Sequence, residues 1–554
     1  MTEKNKQKKY YSDLDPKPNF AQLELDILEF WEEKKIFNKS VNDRSEENEY
    51  VFYDGPPFAN GLPHYGHLLT GFAKDIIPRY QTMKGRRVER RFGWDCHGLP
   101  AEMESEKELR LNGRSGVINF GVKNFNDHCR ESVMKYTKEW ETTVNRQARW
   151  VDFDNDYKTL DLNYMESVIW AFKKLWDQGL IYEKAKVMPY SWKAETPLSN
   201  FETRLDDSYR ERVDPAITVK FSLEEDSNLG KSIDILVWTT TPWTLPSNLA
   251  LAVGEDISYS IFSNGKNSIL IAENTVEKYK QELDGMKKIK TIKGDILVGM
   301  SYKPIFDYFL GTENSFKILS ADFVNTEEGT GIVHMAPGFG EDDQIVCESH
   351  GIPIKSPVDS RGKFTSEIKD YEGMLVFDAN EEIIKNLDSR KILFKHEEYS
   401  HSYPHSWRTD EPLIYKAVNS WFVEVTKFRD RMSELNQQIN WIPNHIKDGA
   451  FGRWLSGARD WSISRNRFWG TPIPVWKSDN PEFPRIDVYG SLDEIEKDFA
   501  KKLAKIHSVK NECYGYDFNT PIGGMEQPCL FEKSWVNFFK NKRLLMIFEK
   551  INQS

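Results

Sequence analysis

Residues 50–68 read YVFYDGPPFANGLPHYGHL and contain the pattern that decides the fold class of this chain. The aromatic and β-branched residues of 50–54 predict a short strand, and the Gly-Pro-Pro sequence at 55–57 ends it. The segment HLLTGFAKDIIPRYQTMKG (67–85) reads as a helix. A strand, a tight loop and a helix in this order predict the start of a βα unit, so we expect an α/β fold.

The loop and the helix start also carry residues suited to phosphate. Gly55, Gly61 and Gly66 let the backbone approach a ligand closely, and His64 and His67 lie three positions apart where the helix begins. Helix N-termini carry unpaired N–H groups and partial positive charge, which favour phosphate. Two imidazoles on one face could hydrogen-bond a triphosphate and the charge that develops on it. The alternative is an ordinary surface or weak metal-binding His-x-x-His pair.

The whole chain has 554 residues, a net charge of −11 and an aromatic content of 13%. At about 150 residues per domain, this length suggests about four domains. The aromatic content excludes a chain that is disordered throughout, and the acidic balance excludes a histone-like protein coated with positive charge. The cysteines lie too far apart for a CxxC pair. Because no signal peptide or membrane-spanning run is visible, we expect a soluble, cytoplasmic protein.

Helical patterns lie on both sides of a β-rich middle region. Apolar residues recur at helical spacing in 23–37 and in 162–179, where Gly179 is a natural helix end. After the middle region, helical texture with many tryptophans returns at PHSWRTDEPLIYKAVNSWFVEV (404–425). The sequence therefore predicts an α/β domain that is interrupted and then resumed.

The middle region begins near residue 198 and consists of strand-like runs. Residues 233–241 and 249–253 are rich in strand-forming residues, and Asn264-Gly265 within 259–272 predicts a hairpin turn. These observations predict three domains, which are an N-terminal half of a nucleotide-binding domain at 1–197, an inserted β-rich domain at 198–400, and a return to the first domain at 401–554.

Two motifs give the chain a family resemblance. PHYGH (63–67) resembles the HIGH signature of class I aminoacyl-tRNA synthetases, and GWDCHGLPAE (93–102) resembles the isoleucyl members of that family. The resemblance extends over nearly all of residues 20–480. It implies a Rossmann-like class I catalytic domain with an inserted editing domain. It also implies a ligase that joins isoleucine to tRNA(Ile) and uses ATP with Mg²⁺, and we expect a monomer.

The resemblance assigns residues to the amino-acid and ATP sites. His64, Gly66 and His67 would bind ATP, with the two histidines as the catalytic residues. Asp95 matches the residue that binds the α-ammonium group, for which a fixed carboxylate is well suited. Pro56 would accept from the same ammonium through its carbonyl, and Trp469, in ISRNRFWGTPIPVW (463–476), would wall the side-chain pocket. The alternatives are a helix-capping role for Asp95 and a core position for Trp469.

The inserted region carries two further blocks, VWTTTPWTLPSN (237–248) and GTGIVHMAPGFGEDD (329–343). Taken alone, a threonine run after a strand would be ordinary β-surface. Together the blocks resemble the editing domain of the isoleucyl, valyl and leucyl enzymes, and the implied reaction is hydrolysis of valyl-tRNA. Asp343 would hold the amino group and the attacking water, and His334 would shape the amino-acid pocket. The hydroxyls that would position the water and the terminal adenosine belong to Thr239, Thr240, Thr241 and Thr244.

The need for a second site follows from binding energy. One methylene in an apolar pocket is worth about 1–3 kcal/mol, a limit for which this enzyme family is itself the usual example. A difference in binding energy of this size does not keep enough valine out of the isoleucine site. A second site that rejects isoleucine by size and hydrolyses the valyl product would correct the error.

Some family features are missing from the sequence. No KMSKS-like loop, no matching Gly-Asp-Gln stretch and no second half of the nucleotide fold can be recognised, so the chain reads as an N-terminal portion of a longer enzyme. Lys193, Ala194, Ser406 and Asp410 occupy stretches where some relatives carry cysteine ligands, so zinc is not expected. Two alternative functions therefore stay open, which are a hydrolase that only edits and a non-catalytic remnant that binds RNA.

A cluster of basic residues lies next to the proposed ATP site. On a tRNA-binding protein these side chains could steer phosphates, and the alternative is a solvated charge run. The residues are Lys84, Arg86, Arg87, Arg90 and Arg91.

Overall fold

The computed structural model describes residues 15–199, 202–204, 207–224, 229, 232–508, 520–522, 525–527 and 530–545. The two ends of the chain, which belong to the first and third predicted domains, lie outside these ranges. The chain divides into two compact units, Met1–Met165 with Leu175–Ile473, and Glu166–Lys174 with Pro474–Ser554. Every site residue named above belongs to the first unit. The domain boundaries near residues 198 and 400 stay predictions.

The N-terminal part is mainly helical and contains a short parallel sheet. Strand β1 pairs in parallel with β2, and the buried residues of β1 pack with the half-buried Phe153 of β2 and the surrounding helices in one core. The elements are α1 (Phe20–Glu33), α2 (Ile36–Asn42), α3 (Tyr65–Met83), β1 (Arg91–Trp94), α4 (Leu99–Glu108), α5 (Gly113–Phe120), α6 (Val122–Val133), α7 (Thr137–Arg146), β2 (Asp152–Lys158) and α8 (Leu162–Asp177).

The predicted helix at 162–179 is confirmed by α8, and the Gly179 backbone adopts a φ of 66° just beyond its end. The predicted helix at 23–37 is interrupted, because Lys35 adopts a left-handed φ of 51° between α1 and α2. The predicted strand at 50–54 is wrong. The backbone N–H of Tyr50 donates to the Arg87 carbonyl (2.8 Å), but no described strand pairs with the rest of the segment.

Close packing between β1 and β2 depends on a glycine. Gly93 lies opposite Tyr157 in the parallel register, and a Cβ at Gly93 would lie 2.2 Å from the Tyr157 ring. A side chain at this position would therefore displace the ring or separate the strands.

We expect Gly93→Ala to lower the free energy of unfolding by about 1–3 kcal/mol, the usual cost of overpacking a filled site. Urea denaturation followed by circular dichroism would measure this loss. Gly61→Ala is the control, because a Cβ there meets no atom within 4 Å. Equal stability of the two variants would contradict the packing argument.

The middle region is rich in strands and has its own hydrophobic core. Its largest sheet has the strand order β10-β8-β9-β6-β5-β11, with β14 (Leu393–Pro404) paired to β5, and a second sheet has the order β12-β7-β13. The elements from β3 to α10 are β3 (Ile181–Ser191), β4 (Thr196–Pro197), β5 (Tyr209–Leu223), β6 (Ile233–Thr239), β7 (Ala250–Val253), β8 (Ser258–Ser263), β9 (Ser268–Ala272), β10 (Lys287–Lys293), β11 (Tyr302–Lys303), β12 (Lys317–Ser320), β13 (Ile332–Met335), α9 (Glu341–Ser349) and α10 (Val376–Ser389).

The strands predicted for this region are confirmed, since 233–241 contains β6 and 249–253 contains β7. The predicted hairpin is also confirmed, because β8 and β9 pair in an antiparallel register on either side of Asn264-Gly265. Gly265 has a φ of 85°, which the turn requires and glycine adopts readily.

The helical texture predicted at 404–425 is wrong, because the segment contains β14 (Leu393–Pro404) at its start and then β15 (Ile414–Val423). Strand β15 pairs antiparallel with β3 along its whole length. Every second residue from Ile414 to Phe422 is buried, including the polar Lys416. That period of two is typical of a strand, and the abundant aromatic residues obscured it in the sequence.

The remaining elements follow β15 along the chain. The helices α11 and α12 and the strand β16 belong to the first compact unit, and the elements from β17 onward belong to the second. They are α11 (Arg429–Asn436), α12 (Ala450–Ser456), β16 (Trp461–Ser462), β17 (Val475–Lys477), β18 (Ile486–Val488), α13 (Leu492–Ser508), β19 (Thr520–Ile522), β20 (Met525–Gln527) and α14 (Trp535–Phe539).

Candidate functional site

The two histidines of the first motif lie together at the start of α3. His64 is the N-cap residue, and its Nδ1 accepts from the backbone N–H of Gly66 (3.1 Å). The backbone N–H of His64 in turn donates to Nδ1 of His67 (3.2 Å), and the ring centres are 3.7 Å apart. Because both Nδ1 atoms accept, each neutral ring carries its proton on Nε2. The site thus presents two Nε2–H donors.

The pKa of His67 is lowered, chiefly by burial and then by the neighbouring charges of His64 and Lys74. The imidazole of His67 is therefore neutral at pH 7 and acts through hydrogen bonding rather than through charge. A half-buried position beside Trp140, with 4.7 Å between the ring centres, holds the His67 ring in place.

The loop before α3 is anchored by an ion-pair cluster that the sequence did not reveal. The Asp54 carboxylate pairs with both Lys74 and Arg149. Lys74 also donates to the Gly55 carbonyl (2.8 Å), and the Tyr157 hydroxyl donates to the Asp54 carbonyl (3.2 Å). Asp54 precedes the Gly-Pro loop, but nothing in the sequence pointed to Arg149 as its partner.

Asp95 directly follows β1 and lies beside the Gly-Pro loop. Its backbone N–H donates to the Pro57 carbonyl (2.9 Å), which places it next to the half-buried Pro56. Burial raises the pKa of the Asp95 carboxyl to about 6, and a hydrogen bond from the His97 backbone opposes that rise. A carboxylate poorly stabilised by its surroundings gains strongly from a cationic partner.

Trp469 comes from a distant part of the chain and packs against the Asp95 segment. Its indole N–H donates to the Cys96 carbonyl (2.6 Å), and its ring meets His97 edge-to-face with 5.1 Å between the ring centres. Only 6% of Trp469 is exposed, and it belongs to the core around β1. The structure therefore brings the predicted residues Asp95 and Trp469 into one region. Trp469 belongs to the hydrophobic core that lies beneath the Asp95 segment.

A buried glutamate, missed in the sequence, holds the Trp469 segment. Glu102 lies on α4, is 0% exposed, and accepts from the backbone N–H groups of Phe468 (2.7 Å) and Trp469. Arg467 forms an ion pair with the same carboxylate. The signal was present, since Glu102 ends the GWDCHGLPAE motif, but no role could be read from its position alone.

The editing residues of the two blocks meet in the β-rich region. The hydroxyls of Thr239, Thr241 and Thr244 are linked in series at 3.2 Å each, and the Thr244 hydroxyl contacts His334 Nε2 at 2.7 Å. Thr240 lies half-buried between its neighbours. The structure thus brings four of the predicted residues into one continuous hydrogen-bonded chain.

His334 is a neutral, structural member of this chain. Burial lowers its pKa to about 4, so the imidazole is uncharged at pH 7. Its Nδ1 lies 3.4 Å from the Asn248 side-chain amide, and the Tyr302 hydroxyl donates to Asn248 Oδ1 (2.6 Å). Asn248 and Tyr302 were not identified from sequence, although Asn248 ends the quoted threonine block.

Asp343 lies in the first turn of α9, near the strand that carries His334. Its carboxylate accepts from the Ala336 backbone N–H (2.8 Å), two residues beyond His334. Burial raises the pKa of Asp343 to about 7, against the effect of that hydrogen bond. A Cβ at Gly340 would lie 2.5 Å from the Asp343 carboxyl carbon, so glycine is needed for this carboxylate position.

The basic residues at 84–91 differ in burial and in hydrogen-bond partners. Arg90 is buried and donates to the Pro78 carbonyl (3.1 Å) and to the Thr82 hydroxyl. Arg87 pairs with Glu89 at 3.0 Å. Arg90 therefore has a structural role, and the phosphate-steering hypothesis does not apply to it.

Neither a metal site nor a membrane span is found in the described part of the chain. Its His, Cys, Asp and Glu side chains form no group of three or more that could hold a metal ion. In the stretch considered for zinc, Lys193 pairs with Glu411 at 3.0 Å, and Ser406 is buried. None of the described helices is both long and apolar enough to cross a membrane.

Comparisons with known proteins place this geometry in a family. A family model for class I tRNA synthetases (I, L, M and V) matches residues 26–517. The isoleucine–tRNA ligase of Rickettsia felis is 62% identical over 516 residues, which are 90% of this chain and 47% of that protein. The isoleucine–tRNA ligase of Rickettsia prowazekii is 61% identical over 516 residues, which are 90% of this chain and 48% of that protein. The chain spans about half the length of the curated relatives it matches.

Two weaker similarities were also found. A fructosamine kinase family model matches residues 487–554, of which 487–517 also lie within the synthetase match. A crystal structure of Agrobacterium radiobacter K84 agnB2 LeuRS with tRNA and LeuAMS aligns with 92% of this chain and 57% of its own. Its TM-score of 0.32 at 16% identity is too low to establish a common fold.

The family model covers most of the chain and includes both histidines, Asp95, Trp469 and the threonine block. The identity to the Rickettsia enzymes extends over nine-tenths of it. The chain therefore belongs to the class I tRNA synthetase family, and it has that family's α/β catalytic fold.

Proposed function

We propose that this chain carries the isoleucine-activating and editing sites of an isoleucine–tRNA ligase. In the proposed reaction, the isoleucine carboxylate attacks the α-phosphate of ATP and pyrophosphate leaves; a terminal ribose hydroxyl of tRNA(Ile) then takes the isoleucyl group, and AMP leaves. The observation that carries the proposal is the half-buried Asp95 carboxyl, whose pKa is raised by burial and whose neighbour Cys96 accepts at its carbonyl from the Trp469 indole N–H. A cytoplasmic location and a monomeric state belong to the same proposal.

Asp95 would bind the α-ammonium group of isoleucine. A carboxylate whose pKa is raised by burial lacks a compensating charge, and the ammonium would supply one. The Pro56 carbonyl would accept a second ammonium proton, because the Pro56–Pro57 loop is held against Asp95. Trp469 would limit the space for the branched side chain.

His64 and His67 would donate from Nε2 to the triphosphate as negative charge develops on the leaving pyrophosphate. The described residues provide no set of three protein ligands for Mg²⁺. An ion that accompanies ATP would therefore be held mainly by the phosphates, as is usual for this metal.

The amino-acid site can be tested by equilibrium binding. Because a buried methylene is worth about 0.8 kcal/mol, we expect the chain to bind isoleucine at least about fourfold more tightly than valine. Isothermal titration calorimetry of both amino acids would measure the ratio. Equal affinity for both, or no binding of either, would contradict the proposal.

We expect the double variant His64→Gln, His67→Gln to weaken ATP binding by about tenfold or more, since a hydrogen bond to a charged group contributes about 1.5–3 kcal/mol. Isoleucine affinity should stay within about twofold, because neither ring contacts Asp95 or Trp469 among the described hydrogen bonds. Titration with ATP and with isoleucine separates the two effects. A loss of isoleucine affinity with unchanged ATP affinity would show that the roles are assigned wrongly.

The editing site would hydrolyse valyl-tRNA(Ile). Water adds to the ester carbonyl, the bond to the ribose oxygen breaks, and valine and tRNA are released. Asp343 would hold the valyl ammonium and the attacking water. Thr239, Thr240 and Thr241 would place the terminal adenosine and the water, while Thr244 and His334 would limit the pocket.

Editing without ligation is the second candidate function. It is favoured by the position of all the editing residues in 239–343, within a region whose residues supply most of one hydrophobic core. A domain with its own core can act independently. Hydrolysis of valyl-tRNA(Ile) by a preparation without isoleucine-dependent pyrophosphate exchange would favour this candidate over the first.

A further inference from the structure

Both carboxylate oxygens of Glu102 are occupied by the segment that ends in Trp469. Oε1 accepts from the consecutive backbone N–H groups of Phe468 and Trp469, and Oε2 accepts from Arg467 Nε. Glu102 is 0% exposed, and the Arg467 side chain is 11% exposed. The Glu102 carboxylate is therefore the buried acceptor that holds the backbone N–H groups of Phe468 and Trp469.

The contact leads directly to the proposed isoleucine pocket. With its backbone N–H held by Glu102, Trp469 directs its indole N–H to the Cys96 carbonyl (2.6 Å), one residue beyond Asp95. The two ends of Trp469 are therefore fixed by hydrogen bonds, and the ring has little freedom to move. Two glutamates of α4, Glu102 and Glu106, pair with Arg467. In the described contacts, only the Glu102 side chain also accepts from the backbone of 468–469, because the Glu106 carboxylate contacts only Arg467 Nη2.

We propose that Glu102 is a positioning residue that sets the preference for isoleucine over valine by fixing the backbone of Phe468 and Trp469. The inference rests on the proposed function, because it presumes that Trp469 walls the amino-acid pocket. A pocket distinguishes one methylene only when its wall cannot move inward to fill the space left by the smaller ligand. Glu102 supplies that rigidity without contacting the substrate.

Two conservative variants separate this role from simple charge neutralisation. Glu102→Gln keeps one oxygen that can accept from both backbone N–H groups, but it replaces Oε2 with an NH2 donor and so loses both the charge and the hydrogen bond to Arg467. Glu102→Asp keeps the charge but is shorter by one methylene and cannot reach both N–H groups. If Glu102 positions the backbone, the isoleucine-to-valine affinity ratio should be kept by Glu102→Gln and should approach one in Glu102→Asp. The reverse result would mean that the charge matters and would overturn the proposal.

The matched control is Glu106→Gln, which removes the other carboxylate on Arg467 and leaves the backbone contacts intact. Its affinity ratio should equal that of the wild type. Near-ultraviolet circular dichroism would establish that each variant is folded. A general loss of stability would weaken both affinities without changing their ratio, so an unchanged ratio in folded Glu102→Asp would overturn the proposal.

Hydrogen exchange gives a readout that does not depend on ligand. In the peptide covering 463–470, the amides of Phe468 and Trp469 should exchange at least about tenfold faster in Glu102→Asp than in Glu102→Gln. If the wild-type chain binds no isoleucine, the proposed function fails, and exchange still tests the backbone contact. Equal exchange in the two variants would overturn the positioning role whatever the binding result.

Discussion

Replacement of Asp95 by alanine should abolish measurable isoleucine binding. Removing one partner of a buried charge pair typically costs about 3–5 kcal/mol, which corresponds to at least about a hundredfold loss of affinity. The Asp95 carboxylate is half-buried, and no described cation pairs with it, so the substrate ammonium would be its main partner. Calorimetric titration of isoleucine into the wild type and the variant would measure the loss.

Asp154→Ala is the control for this experiment, because Asp154 is an exposed carboxylate in the neighbouring strand β2. Its isoleucine affinity should equal that of the wild type. The pKa of Asp95, raised to about 6, adds a pH test. Below about pH 6 the free carboxyl is increasingly protonated and cannot pair with an ammonium, so isoleucine binding should weaken as the pH falls. Unchanged affinity in Asp95→Ala would remove this residue from the site.

Replacement of Asp343 by alanine should remove the hydrolysis of valyl-tRNA(Ile) above the buffer rate. The carboxylate is held by the Ala336 N–H and fits only because Gly340 has no side chain. Without it, neither the valyl ammonium nor the water has an anchor, and the loss of a charged partner costs about 3–5 kcal/mol. Release of labelled valine from valyl-tRNA(Ile) would measure the rate.

The adjacent Asp342 provides a matched control, because it has the same charge in the same helical turn but is exposed. Asp342→Ala should hydrolyse the substrate within about twofold of the wild-type rate. Since the pKa of Asp343 is raised to about 7, its carboxylate forms only as the pH rises through that value. The wild-type kcat/KM, corrected for spontaneous hydrolysis, should therefore increase through about pH 7 and then level off. A flat profile would argue against an ionised Asp343.

Local patterns predicted those elements whose structure depends on nearby residues. The helix at 162–177 has a regular apolar spacing and a glycine end, and the Asn264-Gly265 turn needs only its two residues. The strand expected at 50–54 failed because a strand requires a neighbour, and no described strand supplies one. In β15, the abundant aromatic residues, together with buried polar residues such as Lys416, obscured the period of two.

The candidate site was predictable to the extent that its motifs are continuous in the chain. Asp95 and Trp469 are 374 positions apart, and only the family resemblance suggested that they meet. Glu102 lies inside a quoted motif, yet its partner Arg467 is 365 positions away, so spacing could not reveal the contact. The same applies to Asn248 and Tyr302, whose hydrogen bond supports His334 across the β-rich core.

The central claim is that one chain holds two sites that select amino acids by size in opposite directions. Its most direct test is the rate at which the purified chain deacylates valyl-tRNA(Ile) and isoleucyl-tRNA(Ile) at equal concentration. We predict faster hydrolysis of the valyl ester, and we predict that the difference disappears in Asp343→Ala. Equal hydrolysis of both esters by the wild-type chain, at the rate found in buffer alone, would contradict the account.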